Sequence, residues 1–221
     1  MPTQHEPAIE SFGLEEYFIC TESAVRPQFT LLHTFNEETR APPIRTDETG
    51  LVINSREEMT EYVERVQRNR NHYFAKAIVC GTILQVAYVA IKQYSRKQIE
   101  PGEFEEFRVT PNSNAAKFCI GRLVHGIPLG LLVFAGRNQF NHWEEGDPTN
   151  QVTNAVFDKL YRHYRNNPLA DLVYQLSWPW FRPVTHFVVW DEMGWRSFEI
   201  YLDNMRGMLP ETPEDAGTAR E

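Results

Sequence analysis

The amino-acid sequence predicts an all-α fold, a helical bundle with a small irregular or β-containing elaboration at its N-terminus. Three observations support this prediction. Apolar residues recur at helical spacing through the middle of the chain, Pro and Gly turns divide the C-terminal half into further helical segments, and most short extended-looking runs lie within the first 54 residues. With 221 residues, 42% of them hydrophobic, the chain is long enough to bury one core.

The N-terminal elaboration, residues 1–54, contains the predicted extended segments. Tyr17–Cys20, Phe29–Phe35 and Leu51–Ile53 are apolar or β-branched, and Pro, Asn and Glu residues separate them. The elaboration also holds nine acidic residues and three arginines, which account for most of the formal net charge of -8. We therefore expect an acidic arm that precedes the bundle.

The first helix of the bundle begins at Ser55, where Ser55 and Glu58 match a capping box. Apolar side chains then recur at helical spacing as far as Tyr94, which predicts one long helix or two helices separated near Asn69–His72. Its longest apolar run, Ala77–Ile91, is shorter than the roughly 20 residues that a membrane span needs. We interpret it as a buried helix and expect no membrane association.

Further elements come after it in order, separated by Pro- and Gly-containing turns. We predict a strand at Val184–Trp190. We predict helices at Ser113–Val124, Pro128–Trp143, Asn150–Arg165, Pro168–Leu176 and Ser197–Met208. The bundle then spans residues 55–209, and the acidic, aperiodic tail of residues 210–221 is expected to be disordered.

Composition restricts the classes of function. The acidic net charge argues against a protein that coats nucleic acid through bulk charge. Residues 55–97 are an exception, since they hold eight basic and four acidic residues. The cysteines Cys20, Cys80 and Cys119 are far apart and lack disulfide-scaffold or metal-site spacing. No apolar signal segment opens the chain, so we expect a reducing, cytoplasmic location.

One segment places three chemically useful side chains at the end of an apolar helix. Arg137 and Asn138 follow a run of apolar residues, and His142 lies one turn later. Asn138 and His142 are four residues apart and therefore share a helix face. The side chain of Arg137 is long enough to bend toward that face.

These residue types suit phosphate chemistry on RNA. A histidine such as His142 can take a proton from a 2′-hydroxyl or give one to the leaving 5′-oxygen. Arg137 keeps its charge and can bind the phosphate oxygens as negative charge builds. Asn138 can hydrogen-bond the imidazole or the phosphate and so hold the geometry. This chemistry requires neither a metal ion nor a cofactor.

The segment Arg137-Asn138-Gln139-Phe140-Asn141-His142 resembles the signature of the HEPN superfamily. That signature is Arg, commonly followed by a polar residue such as Asn, with His four to six positions after the Arg. The resemblance covers about residues 55–176 and leaves residues 1–54 unexplained. It implies a compact α-helical domain that forms homodimers in which two motifs face each other. Active members are metal-independent endoribonucleases of toxin, antiphage and RNA-processing systems.

Other interpretations remain open at this point. In the simplest, Arg137 and His142 only complement the negative end of a helix dipole. The resemblance also allows a catalytically inactive module that binds RNA or a protein, because some family members have lost activity. A toxin neutralised by a protein partner is a further possibility.

Three additional arginines are candidates for RNA phosphate contacts. Arg68 and Arg70 lie in the basic segment, and Arg122 precedes His125 by three residues. His125 itself is a candidate ligand or supporting residue, although a hydrogen-bonded structural His is the more common case. No H-x-x-x-H spacing or phosphate-binding Gly-rich loop is present, so the sequence predicts no metal site.

Overall fold

The computed structural model describes residues 13–39, 46–47, 50–51, 56–143, 150–166, 174 and 183–209. The longer helices are α1 (Leu14–Thr39), α2 (Arg56–Tyr94), α3 (Leu129–His142), α4 (Gln151–Tyr164) and α5 (Phe198–Met208). The short helices are the 3₁₀ turns Glu105–Phe107 and Asn114–Phe118 and the π-helix Phe187–Glu192. The strands form two hairpins, β1–β2 (Thr46–Asp47 and Gly50–Leu51) and β3–β4 (Leu123–Val124 and Ile127–Pro128). The prediction of an all-α fold with a small β-containing element is confirmed.

Helix α1 lies within the segment for which extended structure was predicted. The prediction of extended structure at Tyr17–Cys20 and at Phe29–Phe35 is therefore wrong, since both segments are helical. The apolar residues that α1 buries share helical spacing and join the same core as the other helices: Leu14, Phe18, Val25, Phe29 and Leu32. The short runs considered in the sequence do not show this helical spacing, which becomes visible only over the full length of α1.

Helices α2 and α3 pack antiparallel and form the centre of the bundle. Four contacts establish the direction, because they run up α2 and down α3: Phe74 with Trp143, Gly81 with Phe140, Gln85 with Arg137 and Tyr88 with Phe134. Gly81 permits the close approach, since a Cβ at that position would lie 2.5 Å from the Phe140 ring. Gly81 is a weak helix former, and the close packing of α2 against α3 explains its place within the helix.

The segment before α3 is not the helix predicted at Ser113–Val124. It contains the 3₁₀ turn Asn114–Phe118 and then strand β3, with Gly121 at a φ of +86° between them. That positive φ ends the helical path. Hairpin β3–β4 leads directly into α3, whose prediction at Pro128–Trp143 is confirmed.

The later elements agree with the sequence in two cases and differ in one. Helix α4 is confirmed, and Asn150 caps it by accepting hydrogen bonds from the backbone N–H groups of Val152 and Thr153. Helix α5 is confirmed, with Ser197 as its N-cap. The strand predicted at Val184–Trp190 is wrong, because residues 187–192 form a π-helix. A short run of Val and aromatic residues fits a buried helix as well as a strand.

One stretch of α2, Arg70–Tyr94, is long and apolar enough by composition to cross a membrane. Half of its most apolar window is buried inside the bundle, and the core helix of a soluble protein meets the same criterion. The predicted helix at Pro168–Leu176 lies almost wholly outside the described residues. Ser55 of the capping box and the tail of residues 210–221 lie outside them too.

Candidate functional site

Arg137 is the first partly exposed residue after the buried stretch of α3. Residues 129–136 are all buried, and Arg137 and Asn138 are the first two side chains beyond them that reach the surface. The guanidinium therefore lies where an apolar helix leaves the core, with the bundle behind it and solvent in front. This is the environment that the sequence predicted for the motif.

Neighbouring side chains hold the Arg137 guanidinium in one orientation. Its Nε donates to Oε1 of Gln85 on α2 at 2.9 Å, and its Nη1 donates to Oδ1 of Asn138 at 3.3 Å. The ring of Tyr88, also on α2, lies 4.7 Å from the guanidinium carbon. A cation–π contact and hydrogen bonds from two helices thus fix the position of the charge.

Asn141 completes this arrangement from the following turn of α3. With its amide oxygen turned toward Arg137, Asn141 places that oxygen 2.9–3.1 Å from the three guanidinium nitrogens. The oxygens of Gln85, Asn138 and Asn141 therefore all face the same guanidinium. Each is a neutral acceptor, so together they orient the cation without cancelling its charge.

Asn138 connects the motif to α4. Its oxygen accepts from Arg137, and its Nδ2 donates to Oγ1 of Thr153 at 3.5 Å. Thr153 is buried at the start of α4, and its backbone N–H donates to the side chain of the N-cap residue Asn150. Asn138 consequently has a hydrogen-bond partner on each side.

His142 is the last residue of α3 and is exposed. It lies five residues after Arg137, which corresponds to about 7.5 Å along the helix axis. The structure thus joins Arg137 and Asn138 directly, and it places His142 further along the same helix near the contact between Trp143 and Phe74. His142 can approach Arg137 and Asn138 in two ways. It shares a helix face with Asn138, and a second copy of the chain could bring its own His142 to them.

The predicted phosphate-binding arginines occupy different environments. Arg68 and Arg70 are exposed on α2, and Arg68 pairs with Glu64 at 3.7 Å. Because α2 runs antiparallel to α3, Arg70 lies one turn, about 6 Å, beyond Phe74 and so at the His142 end of the helix pair. These two positions are compatible with a track that leads to the motif.

Arg122 makes its hydrogen bonds to residues outside the Arg137 motif. It donates from Nε to Oδ1 of Asn204 on α5 at 3.1 Å and from Nη2 to the carbonyl oxygen of Met193. Among the described residues it shares no hydrogen-bond partner with Arg137. Its contacts hold the β3–β4 hairpin against α5.

Sequence reasoning missed three residues of this site. Asn141 was detectable, since it lies four residues after Arg137 and therefore on the same helix face. Gln85 and Tyr88 come from α2, more than 45 positions earlier, so only the packing of two helices reveals them. Within the part of the chain that the structure describes, no group of three or more His, Cys, Asp or Glu side chains could hold a metal ion.

A cavity lies away from the motif, between α1 and the start of α5. It has a volume of about 320 Å³, and its lining includes Arg26, His33 and Arg196. No residue of the Arg137 motif lines it.

Comparisons with known proteins identify no relative. No protein-family model, no curated protein and no solved structure matches this chain.

Proposed function

We propose that this chain is a metal-independent endoribonuclease of the HEPN type, which acts as a homodimer through Arg137, Asn138 and His142. The observation that carries the proposal is the fixed guanidinium of Arg137, which three neutral amides and the Tyr88 ring orient at the surface end of an apolar helix. A cation held in place before the substrate arrives stabilises developing charge without a reorganisation cost. His142, exposed on the next turn, supplies the group that accepts and donates protons in this proposal.

The proposed reaction needs only the RNA itself. The 2′-oxygen attacks the adjacent phosphorus while an imidazole of His142 accepts its proton. The bond from phosphorus to the 5′-oxygen breaks, and that oxygen takes a proton from an imidazolium, leaving a 2′,3′-cyclic phosphate and a 5′-hydroxyl. Arg137 stabilises the extra negative charge on the phosphoryl oxygens in the transition state.

An exposed apolar stripe beside Arg137 supports a homodimer. Phe74, Ile78 and Val89 face outward on α2 with 48%, 59% and 37% of their surface accessible. Their spacing places them on the face that also presents Gln85, the partner of Arg137. A second copy on this stripe would bury apolar surface and bring a second Arg137 and His142 to the same seam.

Further proposed phosphate contacts come from arginines on α2, which runs antiparallel to α3 past the motif. Arg68 and Arg70 continue the positive charge beyond the motif, which favours the backbone of a single-stranded RNA. We propose Arg122 as a weaker contact, because its guanidinium already holds the hairpin to α5. A cytoplasmic toxin or antiphage effector with a neutralising protein partner is the setting in which such an activity is expected.

A non-catalytic RNA-binding or protein-interaction module is the second candidate function. The same observation favours it in part, since Arg137 is already engaged by protein acceptors as a structural arginine would be. In that case, replacement of His142 leaves RNA or partner binding unchanged. The two candidates therefore differ in whether His142 is needed.

The test is RNA cleavage in the presence of EDTA by purified wild type, Arg137→Ala and His142→Ala. We expect each variant to lose about 100-fold or more of the rate. Matched controls are His33→Ala and Arg165→Ala, which remove an exposed His and an exposed Arg far along the chain from the motif. Equal cleavage by all five proteins would overturn the assignment, and RNA binding without cleavage by all five would support the second candidate.

A further inference from the structure

A second cluster of titratable side chains surrounds Glu192, at the end of the π-helix. The Glu192 side chain is fully buried. Its carboxylate accepts hydrogen bonds from the hydroxyls of Tyr164, at 3.3 Å, and Tyr174, and its Oε2 lies 3.2 Å from Nε2 of His125. His163 stacks on His125 with ring centroids 3.7 Å apart. Three other parts of the chain, the β3–β4 hairpin, α4 and Tyr174, thus meet at one buried carboxylate.

The backbone around this cluster is specialised as well. His125 and Gly126 form the two-residue turn of hairpin β3–β4, with φ values of +52° and +76°. Such a turn normally takes Asn, Asp or Gly at the position that His125 occupies. Glu192 lies on a π-helix, a form that is rare and concentrated at functional sites. An apolar residue in place of the buried carboxylate would avoid its desolvation cost, which suggests a chemical role.

The hydrogen bonds determine which nitrogen of His125 is available. Burial and the nearby Glu192 carboxylate raise the pKa of Tyr164 to about 12 and raise that of Tyr174 as well, so both hydroxyls remain protonated donors. The single hydroxyl hydrogen of Tyr164 points to Glu192, and its oxygen therefore accepts from Nε2–H of His125 at 3.1 Å. Nδ1 is then the nitrogen of His125 that can take up a further proton.

A third cationic group lies at the same turn. Lys159 and His163 are four residues apart on α4 and so share a face. The Lys159 ammonium lies 3.2 Å from the point where a Cβ on Gly126 would be, which places it directly over the turn. Lys159 also contacts Glu106 at 2.6 Å. His125, His163 and Lys159 therefore lie together at the surface, where Glu106 pairs with Lys159 and the Glu192 carboxylate lies behind His125.

We propose that His125, His163 and Lys159 form a binding site for a phosphate dianion, either inorganic phosphate or the phosphate of a nucleoside monophosphate. Rings stacked at 3.7 Å leave no room for a ligand between them, so the imidazoles act through their edges. Two imidazolium groups this close repel each other unless an anion neutralises them. A phosphate dianion at these edges offsets that repulsion.

The experiment is a titration of the full-length protein at pH 6.5, followed by NMR of the histidine Cε1–Hε1 groups. Inorganic phosphate and AMP should each shift the His125 and His163 signals saturably, whereas adenosine should not. His163→Gln and Lys159→Gln should weaken binding about tenfold or more, because each removes a charge-assisted contact. His33→Gln, on α1, is the matched control and should bind as the wild type does. Tighter binding of AMP than of phosphate identifies a nucleotide ligand, and the reverse identifies the free ion.

Isothermal titration calorimetry with inorganic phosphate measures the affinity independently of the NMR signals. Absence of saturable shifts, or wild-type affinity in both the His163 and Lys159 variants, would overturn the proposal. These variants remove partly exposed side chains and avoid the buried Glu192, so loss of the fold does not confuse the result. The readout is the His125 and His163 signals alone, which keeps this test independent of RNA cleavage.

Discussion

The guanidinium of Arg137 on α3 donates from Nε to Oε1 of Gln85 on α2 at 2.9 Å. This bond links the only charged residue of the apolar helix α3 that precedes His142 to the neighbouring helix that presents the exposed apolar stripe. It therefore couples the orientation of the proposed catalytic cation to the packing of α2 against α3.

Replacement of Gln85 tests whether that orientation matters. Gln85→Leu should lower the proposed RNA-cleavage rate about tenfold, because Arg137 loses an acceptor that positions it. The free energy of unfolding should change by about 0.5 kcal/mol or less, since Gln85 is exposed. Cleavage kinetics and urea unfolding measure the two effects. Gln93→Leu, at another exposed position of α2, is the control, and an equal rate loss in both variants would contradict the positioning role.

Replacement of Gly81 tests the close approach of α2 and α3. Gly81→Ala should destabilise the fold by about 1–2 kcal/mol, because the new Cβ would lie 2.5 Å from the Phe140 ring and the overlap outweighs the better helix propensity of Ala. Urea unfolding of the single variant and of a Phe140→Leu double variant measures the coupling. In the double variant the cost of Ala should shrink.

Gly207→Ala provides the comparison for that experiment. Gly207 lies in α5, and no atom lies within 4 Å of the position of its added Cβ. The substitution should therefore be neutral or should stabilise the protein by up to about 1 kcal/mol. Stabilisation of the same size by Gly81→Ala would show that the helices do not approach as closely as described.

His186 makes the stability of the fold sensitive to acid. Burial, reinforced by the charge of Lys76, lowers the pKa of His186 to about 3, and its Nδ1 has no hydrogen-bond partner among the described residues. The unfolded chain binds a proton near the ordinary pKa of 6.5, which the folded protein takes up only near pH 3. Stability from this group is therefore complete above pH 6.5 and falls as the pH decreases toward 3, by roughly 4 kcal/mol in total.

Urea unfolding between pH 7 and pH 4 measures this dependence. His186→Phe should reduce the acid-dependent loss of stability, because Phe does not titrate and fits a site lined by the rings of Tyr73 and Phe187. His33→Phe, at an exposed position, should keep the wild-type profile. Identical pH profiles for wild type and His186→Phe would show that His186 does not titrate as described.

The exposed stripe on α2 predicts the assembly state. The wild type should be a dimer at micromolar concentration, and Ile78→Glu should convert it to a monomer by placing a charge at the seam. Sedimentation velocity distinguishes the two states. Ile19→Glu changes an even more exposed apolar residue, on α1, and should leave the dimer intact. A monomeric wild type, or equal dissociation by both variants, would exclude this seam.

The sequence was informative where a pattern is local and long. Helices α2, α3, α4 and α5 were predicted near their observed bounds because caps, prolines and helical periodicity act within a few residues. Secondary-structure predictions failed where they relied on a run of only four to seven residues. The runs at Tyr17–Cys20 and Val184–Trp190 have the composition of strands, and yet they lie in helical segments from which Phe18, Val188 and Val189 join the core.

By itself, the sequence determined that this is a helical protein with an Arg, an Asn and a His at the end of an apolar helix, since spacing along one helix decides which side chains share a face. Only the tertiary structure decided what those side chains meet. Gln85 and Tyr88 reach Arg137 because Gly81 allows α2 to approach α3, and His125, His163, Tyr164 and Tyr174 meet around Glu192 because hairpin, helix and π-helix converge. Contacts between distant segments depend on how helices pack, and no local pattern encodes that geometry.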